Sequence, residues 1–284
     1  MRGEFVDLDG RRLYCYAFGS RGVGAPIVLV HGAFTSSHLW QGVLPRLPKG
    51  HRVLVLDLLG HGRSDPPTRA SMTIEAHADR LAALLDVMGV GVATFVGHGM
   101  GAAICASLAH RRPERVARLA LVNPALLALD PRDATVSARM TRLAALVPLW
   151  KRLSPSWLAS TLHAALLPAF AQRSIGAHSL DLYLKGFRTR DGRDAACAQL
   201  RAFAPSRAEG ARALASNGLA CPVTLVLGDS DPFMAAGRAS RLASALLVAT
   251  GGCSVVQRLP SVAHMAPEEA PDRLGTMVGE LLTR

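Results

Sequence analysis

Three stretches of this chain hold residue types that could do chemistry together: Gly97-His98-Gly99-Met100-Gly101, Gly228-Asp229-Ser230-Asp231-Pro232 and Ala263-His264-Met265. A histidine takes a proton near neutral pH, and a carboxylate beside it holds the imidazole in one tautomer. Such a pair commonly serves a nucleophile, and the first stretch has the frame for one. The apolar run Val92–Val96 enters a turn closed by small residues, and Ala102–Ala109 leaves it as a helix. That is the strand–turn–helix layout of Gly-x-Ser-x-Gly, in which the nucleophile sits on a tight turn between glycines. Here the central position is Gly99, which has no side chain. The spacing builds the frame for a nucleophile and leaves out its oxygen.

The hydrophobic pattern supplies the elements that must position these stretches. Glu4–Leu8 and Arg12–Phe18 predict two strands joined at Asp9-Gly10, a strong hairpin signal. Pro26–Val30 and Arg52–Leu56 read as strands covered on both faces. They end in His31-Gly32-Ala33-Phe34 and in the Gly-rich loop Asp57–Ser64, with a short helix expected over Leu39–Leu47 between them. Thr73 caps a helix whose first turn holds Glu75, where the helix dipole favours a carboxylate. Ile74, Ala78, Leu81, Leu85 and Met88 give that helix a core face, and Gly89 stops it. After the elbow helix comes a strand at Val116–Val122. Strands alternating with helices predict a mostly parallel sheet with right-handed crossovers, preceded here by an antiparallel hairpin.

From 124 to 217 the alternation breaks into helical patterns with no good strand. Trp157, Leu158, Leu162, Ala165 and Leu166 share one expected apolar face, and the segment holds thirteen Lys/Arg against six Asp/Glu. A helical cap at 124–217 over a core of 1–123 and 218–284 is the organisation expected. The alternation resumes with a strand at Val223–Leu227, a helix at Ala235–Ala249, a strand at Ser254–Leu259 and a closing helix from about Glu268 to Leu282. Asp231 and His264 then each follow the C-terminal end of a parallel strand, the edge where open α/β sheets form sites.

Composition bounds the partners. The chain has 284 residues, half of them hydrophobic, which suits one large core. The start MRGEFVDLDG has no apolar run of a signal peptide, and no stretch reaches the ~18 uninterrupted apolar residues of a membrane span. Five scattered cysteines read as reduced thiols rather than a disulfide or zinc set. A cytoplasmic protein without stable membrane insertion is expected. The net charge of +11 would attract anions, yet no nucleic-acid module accompanies it, so a small-molecule substrate or ligand is the expected partner. No metal-ligand cluster or dinucleotide fingerprint is present, and no cofactor is expected. The oligomeric state is open.

Taken in order, His31-Gly32, Asp57–Ser64, Gly97–Gly101, Gly228–Pro232 and Ala263-His264-Met265 resemble the α/β-hydrolase fold superfamily, in the lineage of small bacterial capped hydrolases. The resemblance covers essentially the whole chain. It implies an α/β-hydrolase fold, a mostly parallel central sheet flanked by helices with a helical cap insertion. It also implies a triad acid at Asp231, a triad base at His264, and an oxyanion hole from the backbone N–H groups of Met100 and of Ala33 or Phe34. His98 and Met265, beside the elbow and the base, join the residues expected around the substrate. Asp229 competes with Asp231, and His31, His61 and Asp57 read as loop-ordering residues. Ser36 and Ser37 read as helix-start caps, and Cys105 as a core thiol.

Gly99 departs from the family, which carries Ser, or Asp or Cys in some branches. Glycine accepts a strained elbow without the Cβ penalty, so Gly99 relaxes the turn while removing the attacking oxygen. Loss of a triad nucleophile alone costs ~10⁶ in kcat, which excludes ordinary acyl-enzyme hydrolysis here. Three readings follow. The His264–Asp231 pair and the oxyanion hole could act on a small apolar or anionic ester, thioester or C–C substrate, with water activated directly, or could abstract a proton in a lyase or cofactor-free oxygenase step. The chain could be a non-catalytic relative that binds a ligand or partner. Or it is a nucleophile-altered form of a serine esterase.

Overall fold

The computed structural model describes residues 3–19, 24–67, 70–124, 147–150, 154–202, 218–234 and 236–283. Eight strands form one sheet in the order β1-β2-β4-β3-β5-β6-β7-β8. These are β1 (Glu4–Leu8), β2 (Arg11–Phe18), β3 (Ile27–Val30), β4 (Val53–Leu56), β5 (Ala93–His98), β6 (Val116–Val122), β7 (Val223–Gly228) and β8 (Ser254–Leu259). β1 and β2 are antiparallel to each other, and β2 to β4. Every pairing from β4 to β8 is parallel. The hairpin turn has φ of 54° at Asp9 and 76° at Gly10, the two positive values that suit the twist of a two-residue loop.

The central strands β3, β4 and β5 are buried along their whole length, which is why β3 and β4 read as unbroken apolar runs and β5 as one interrupted only by Thr94 before its end at His98. Helix α1 (Ile74–Val87) starts where Thr73 Oγ1 accepts the Ala76 N–H and buries Ile74, Ala78, Leu81 and Leu85. Helix α2 (Met100–Arg111) is buried from Met100 to Ala109 and lies against β5. Two glycines permit that approach. A Cβ on Gly97 would overlap the Gly101 carbonyl and Ala102, and one on Gly101 would overlap the Val30 and His31 carbonyls.

Three expectations are corrected. The helix expected over Leu39–Leu47 is two 3₁₀ turns, Ser37–Trp40 and Leu44–Arg46. Gly42 and Pro45 interrupt it, since proline offers no N–H to continue a helix. The closing helix is broken into Ala266–Glu269 and Pro271–Leu282. Ala270 sits at φ −141°, as the residue before a proline is pushed out of the α region. Trp157 faces outward at 47% exposure, while Leu158, Ala159 and Leu162 form the buried face of Pro155–Leu166.

Between β6 and β7 the described residues hold helices at Val147–Trp150, Pro155–Leu166, Arg173–Leu184 and 190–202, and no strand. Within the expected 124–217 segment, 125–146, 151–153 and 203–217 lie outside the described residues, Arg132 and Arg212 among them. No described helix is long and apolar enough to cross a membrane. Four cysteines are buried and Cys253 is exposed.

Candidate active site

Gly99 joins β5 to α2 with φ 54° and ψ −110°, a backbone that L side chains rarely adopt. Its N–H donates to the Val122 carbonyl of β6 at 3.0 Å. A Cβ built there would lie 3.3 Å from His264 Nε2 and 3.8 Å from the Gly32 Cα. The volume above Gly99 is therefore faced by an imidazole nitrogen and bordered by the loop after β3.

His264 lies in the loop after β8. Its Nδ1 is 2.8 Å from Asp231 Oδ2, and the two side chains are 12% and 0% exposed. A carboxylate can only accept, so the shared proton belongs to Nδ1; in the neutral ring Nε2 then carries the lone pair toward Gly99. Asp231, in the loop after β7, is held by its second oxygen, which accepts the Phe233 N–H at 2.7 Å. The Phe233 ring stands edge-on to His264 at 4.9 Å. Asp229 turns away and pairs with Arg258 at 3.1 Å.

The His264 backbone is fastened as firmly as its ring. Its N–H donates to Ala169 O at 2.9 Å, and Met265 N–H reaches the same carbonyl at 3.3 Å. Its carbonyl accepts from His98 Nε2 and from Asn123 Nδ2, both at 2.8 Å. His98 thus carries its proton on Nε2, and burial pulls its pKa down to about 3, so it is a neutral donor. Met265 is buried and starts the Ala266–Glu269 turn.

Asn123 drew no attention in the sequence, although an asparagine directly after the apolar, buried run Leu119–Val122 at the site edge is a signal. It is completely buried at φ 42°. Its Nδ2 also donates to Ala263 O at 2.9 Å, and its Oδ1 accepts the Gly228 N–H at 2.8 Å. One side chain ties the ends of β6 and β7 to the His264 loop. Glu269 was missed as well: it accepts from Ala263 N–H at 2.8 Å and from Ala171 N–H at 2.6 Å, joining that loop to the helical segment.

The loop after β3 holds Ala33 and Phe34, with Phe34 at φ 58° and buried. His31 orders it: Nδ1 meets Gly32 O at 2.7 Å, and Nε2 accepts the Leu58 N–H at 2.9 Å. Burial drops the His31 pKa to about 4, keeping the ring neutral. Asp57 accepts from Ser37 N–H at 2.7 Å and Arg63 N–H at 2.9 Å, bracing two loops, and Ser36 caps the Ser37–Trp40 turn. Cys105 is fully buried and its thiol is pushed well above its usual range. Met100 is the first residue of α2, where backbone N–H groups have no partner within the helix. Among the described residues, no three His, Cys, Asp or Glu side chains are grouped to hold a metal ion.

A paired histidine aimed at a glycine elbow, on an eight-stranded sheet with an antiparallel start, agrees with a family model described as the alpha/beta hydrolase fold, which matches residues 25–271. The chain belongs to this family. Its hydrolase relatives include Lipase LipV of Mycobacterium tuberculosis, 41% identical over 118 residues, 42% of this chain and 43% of the relative. Another is the 2-hydroxymuconate semialdehyde hydrolase of a Pseudomonas species, 36% identical over 107 residues, 37% of this chain and 38% of the relative. The chain thus matches less than half the length of these curated relatives. The fold extends further than the sequence match. The crystal structure of Cfl2 from Burkholderia cenocepacia superimposes with a TM-score of 0.81 at 26% identity, covering 99% of this chain and 95% of that one.

Proposed function

We propose that this chain is a capped hydrolase-like enzyme. In this reading His264, oriented by Asp231, is a general base for a small apolar or anionic ester, thioester or C–C substrate. The observation that carries the reading is the position of His264 Nε2, 3.3 Å from where a Cβ at Gly99 would sit. The missing side chain leaves room for a water or for the substrate's own acidic group, within reach of the base. Backbone N–H groups of Met100 and of Ala33 or Phe34 would stabilise the oxyanion. The elbow conformation is one that favours glycine, so Gly99 keeps the shape of the turn without the nucleophile.

The helices at 154–202 act as the cap in this reading. Their attachment to the His264 loop through Ala169 and Glu269 supports it. The lysine and arginine excess of 124–217 would draw an anionic group to the cap. The activities for which the lipase and semialdehyde hydrolase relatives are named favour hydrolytic chemistry for this chain.

The test is Gly99→Ser, assayed on short p-nitrophenyl esters. The substitution carries a backbone cost of about 1–3 kcal/mol at positive φ, so circular dichroism and a melting curve accompany it. A folded variant that gains esterase activity supports a complete frame around Gly99. A folded variant with no gain overturns it.

A further inference from the structure

Phe187 stands outside the proposed chemistry, yet its placement is tightly specified. It sits in the turn Gly186–Arg188, where Thr189 Oγ1 donates to Gly186 O at 2.9 Å and the Gly192 N–H donates to Thr189 Oγ1 at 3.1 Å. A Cβ on Gly192 would overlap the Gly186 carbonyl, so the backbone closes on itself there. This built turn delivers one large ring, 5% exposed, from the helical segment toward the sheet.

The Phe187 ring meets Phe34 edge-to-face at 5.9 Å and His61 at 6.2 Å. Phe34 directly follows Ala33, in the loop whose Gly32 Cα borders the Gly99 volume at 3.8 Å. Phe187 and His61 also line a cleft of about 310 Å³ with Gly60, Pro66, Leu182 and Tyr183. One wall of that cleft comes from the loop after β4 and the other from the helical segment. Phe187 therefore packs on the loop beside Gly99 and lines the cleft at the same time, and Ser36, two residues beyond Phe34, lines the cleft as well. Burial drops the His61 pKa to about 3, so this aromatic cluster carries no charge.

We propose that Phe187, backed by His61, is the specificity-determining wall of the candidate site: the cleft is the way in, and Phe187 sets the size of the uncharged apolar or aromatic group that passes. The wall itself is independent of catalysis; only its effect on turnover rests on the proposed function.

Alkylation of His264 tests it in the intact chain. A small reagent, bromoacetone, and a bulky one, phenacyl bromide, are applied, and peptide mass spectrometry reads the rate at His264 against exposed His38. Phe187→Ala is expected to raise the phenacyl rate at His264 by ~10-fold, the scale of one misfitting group in an apolar pocket, with little change for bromoacetone. Phe187→Trp is expected to lower it. If Phe187→Ala does not fold, Phe187→Leu carries the same comparison. An unchanged ratio of the two reagents in a folded variant overturns the wall. In a Gly99→Ser background, Phe187→Ala is further expected to shift the preferred p-nitrophenyl ester toward longer or aryl acyl groups. Labelling that moves while no esterase activity arises leaves the wall standing and overturns the catalytic frame instead.

Discussion

The two halves of the candidate site are held by different physics. The elbow half is mostly shape. Gly97 and Gly101 let β5, α2 and the β3 loop approach at distances no side chain would allow, Gly99 supplies the positive-φ turn, and His98 is the polar side chain that ties it to the His264 loop. The base half is chemistry: His264 is fixed at its ring by Asp231, at its carbonyl by His98 and Asn123, and at its N–H by Ala169. Close packing tolerates no added atom, whereas a hydrogen-bonded loop tolerates added volume but no lost partner. His264 is thus held by four contacts, whereas Gly99 offers the site no side chain at all.

The sharpest way to break this contrast is His264→Ala. Whatever native turnover a substrate screen finds is expected to fall by ~10²–10⁴ in kcat, the worth of a positioned general base, with the fold intact. Unchanged turnover would leave the base half with no catalytic meaning.

Acid probes the buried imidazoles of both halves. Unfolded histidines take protons near 6.5, whereas folded His31, His61 and His98 resist until about 4, 3 and 3. The unfolded chain therefore binds more protons in that window, so this stability is complete above about 6.5 and drains as pH falls toward 3. Between the unfolded and folded values the three rings together are expected to contribute ~4 kcal/mol per pH unit to the slope, read from urea midpoints at stepped pH, and buried His77, also lowered, adds to it. A flat profile between pH 6.5 and 4 would contradict neutral buried rings.

Gly101→Ala sharpens the elbow half. Its Cβ meets backbone carbonyls that cannot swing aside, so a loss of ~3 kcal/mol is expected in denaturant unfolding, at the upper end for overpacking. A loss under about 1 kcal/mol would mean that α2 shifts freely against the sheet. Asn123→Ala sharpens the other half. Three hydrogen bonds are lost, and a cost of ~2 kcal/mol is expected from the buried groups left unpaired. In a Gly99→Ser background the same change is expected to lower kcat more than KM, because it loosens the base rather than the substrate contacts. Equal effects on both would assign Asn123 to the scaffold alone.

Much of the fold was legible because it depends on local pattern. β3 and β4 are apolar on every residue and β5 nearly so, since both faces are covered, and Thr73, Glu75 and Gly89 mark the bounds of α1 through capping chemistry that acts within a turn or two. The breaks at Pro45 and Pro271 were overrun because the apolar period continues through them, although a proline changes the backbone there. Trp157 was misplaced for a related reason: periodicity fixes which residues share a face, but not which neighbouring stripe meets a partner.

By itself the sequence determined that an acid, a histidine and a glycine elbow stand at the same edge of one parallel sheet. That follows from strand order and loop position, which short-range pattern encodes. Only the tertiary structure decided that Asp231 and not Asp229 reaches His264, that Asn123 and His98 hold its carbonyl, and that Nε2 faces the place where a side chain is missing. Those facts depend on contacts between residues 33 to 166 positions apart, whose directions are set by how the strands stack and the loops cross, not by any pattern along the chain.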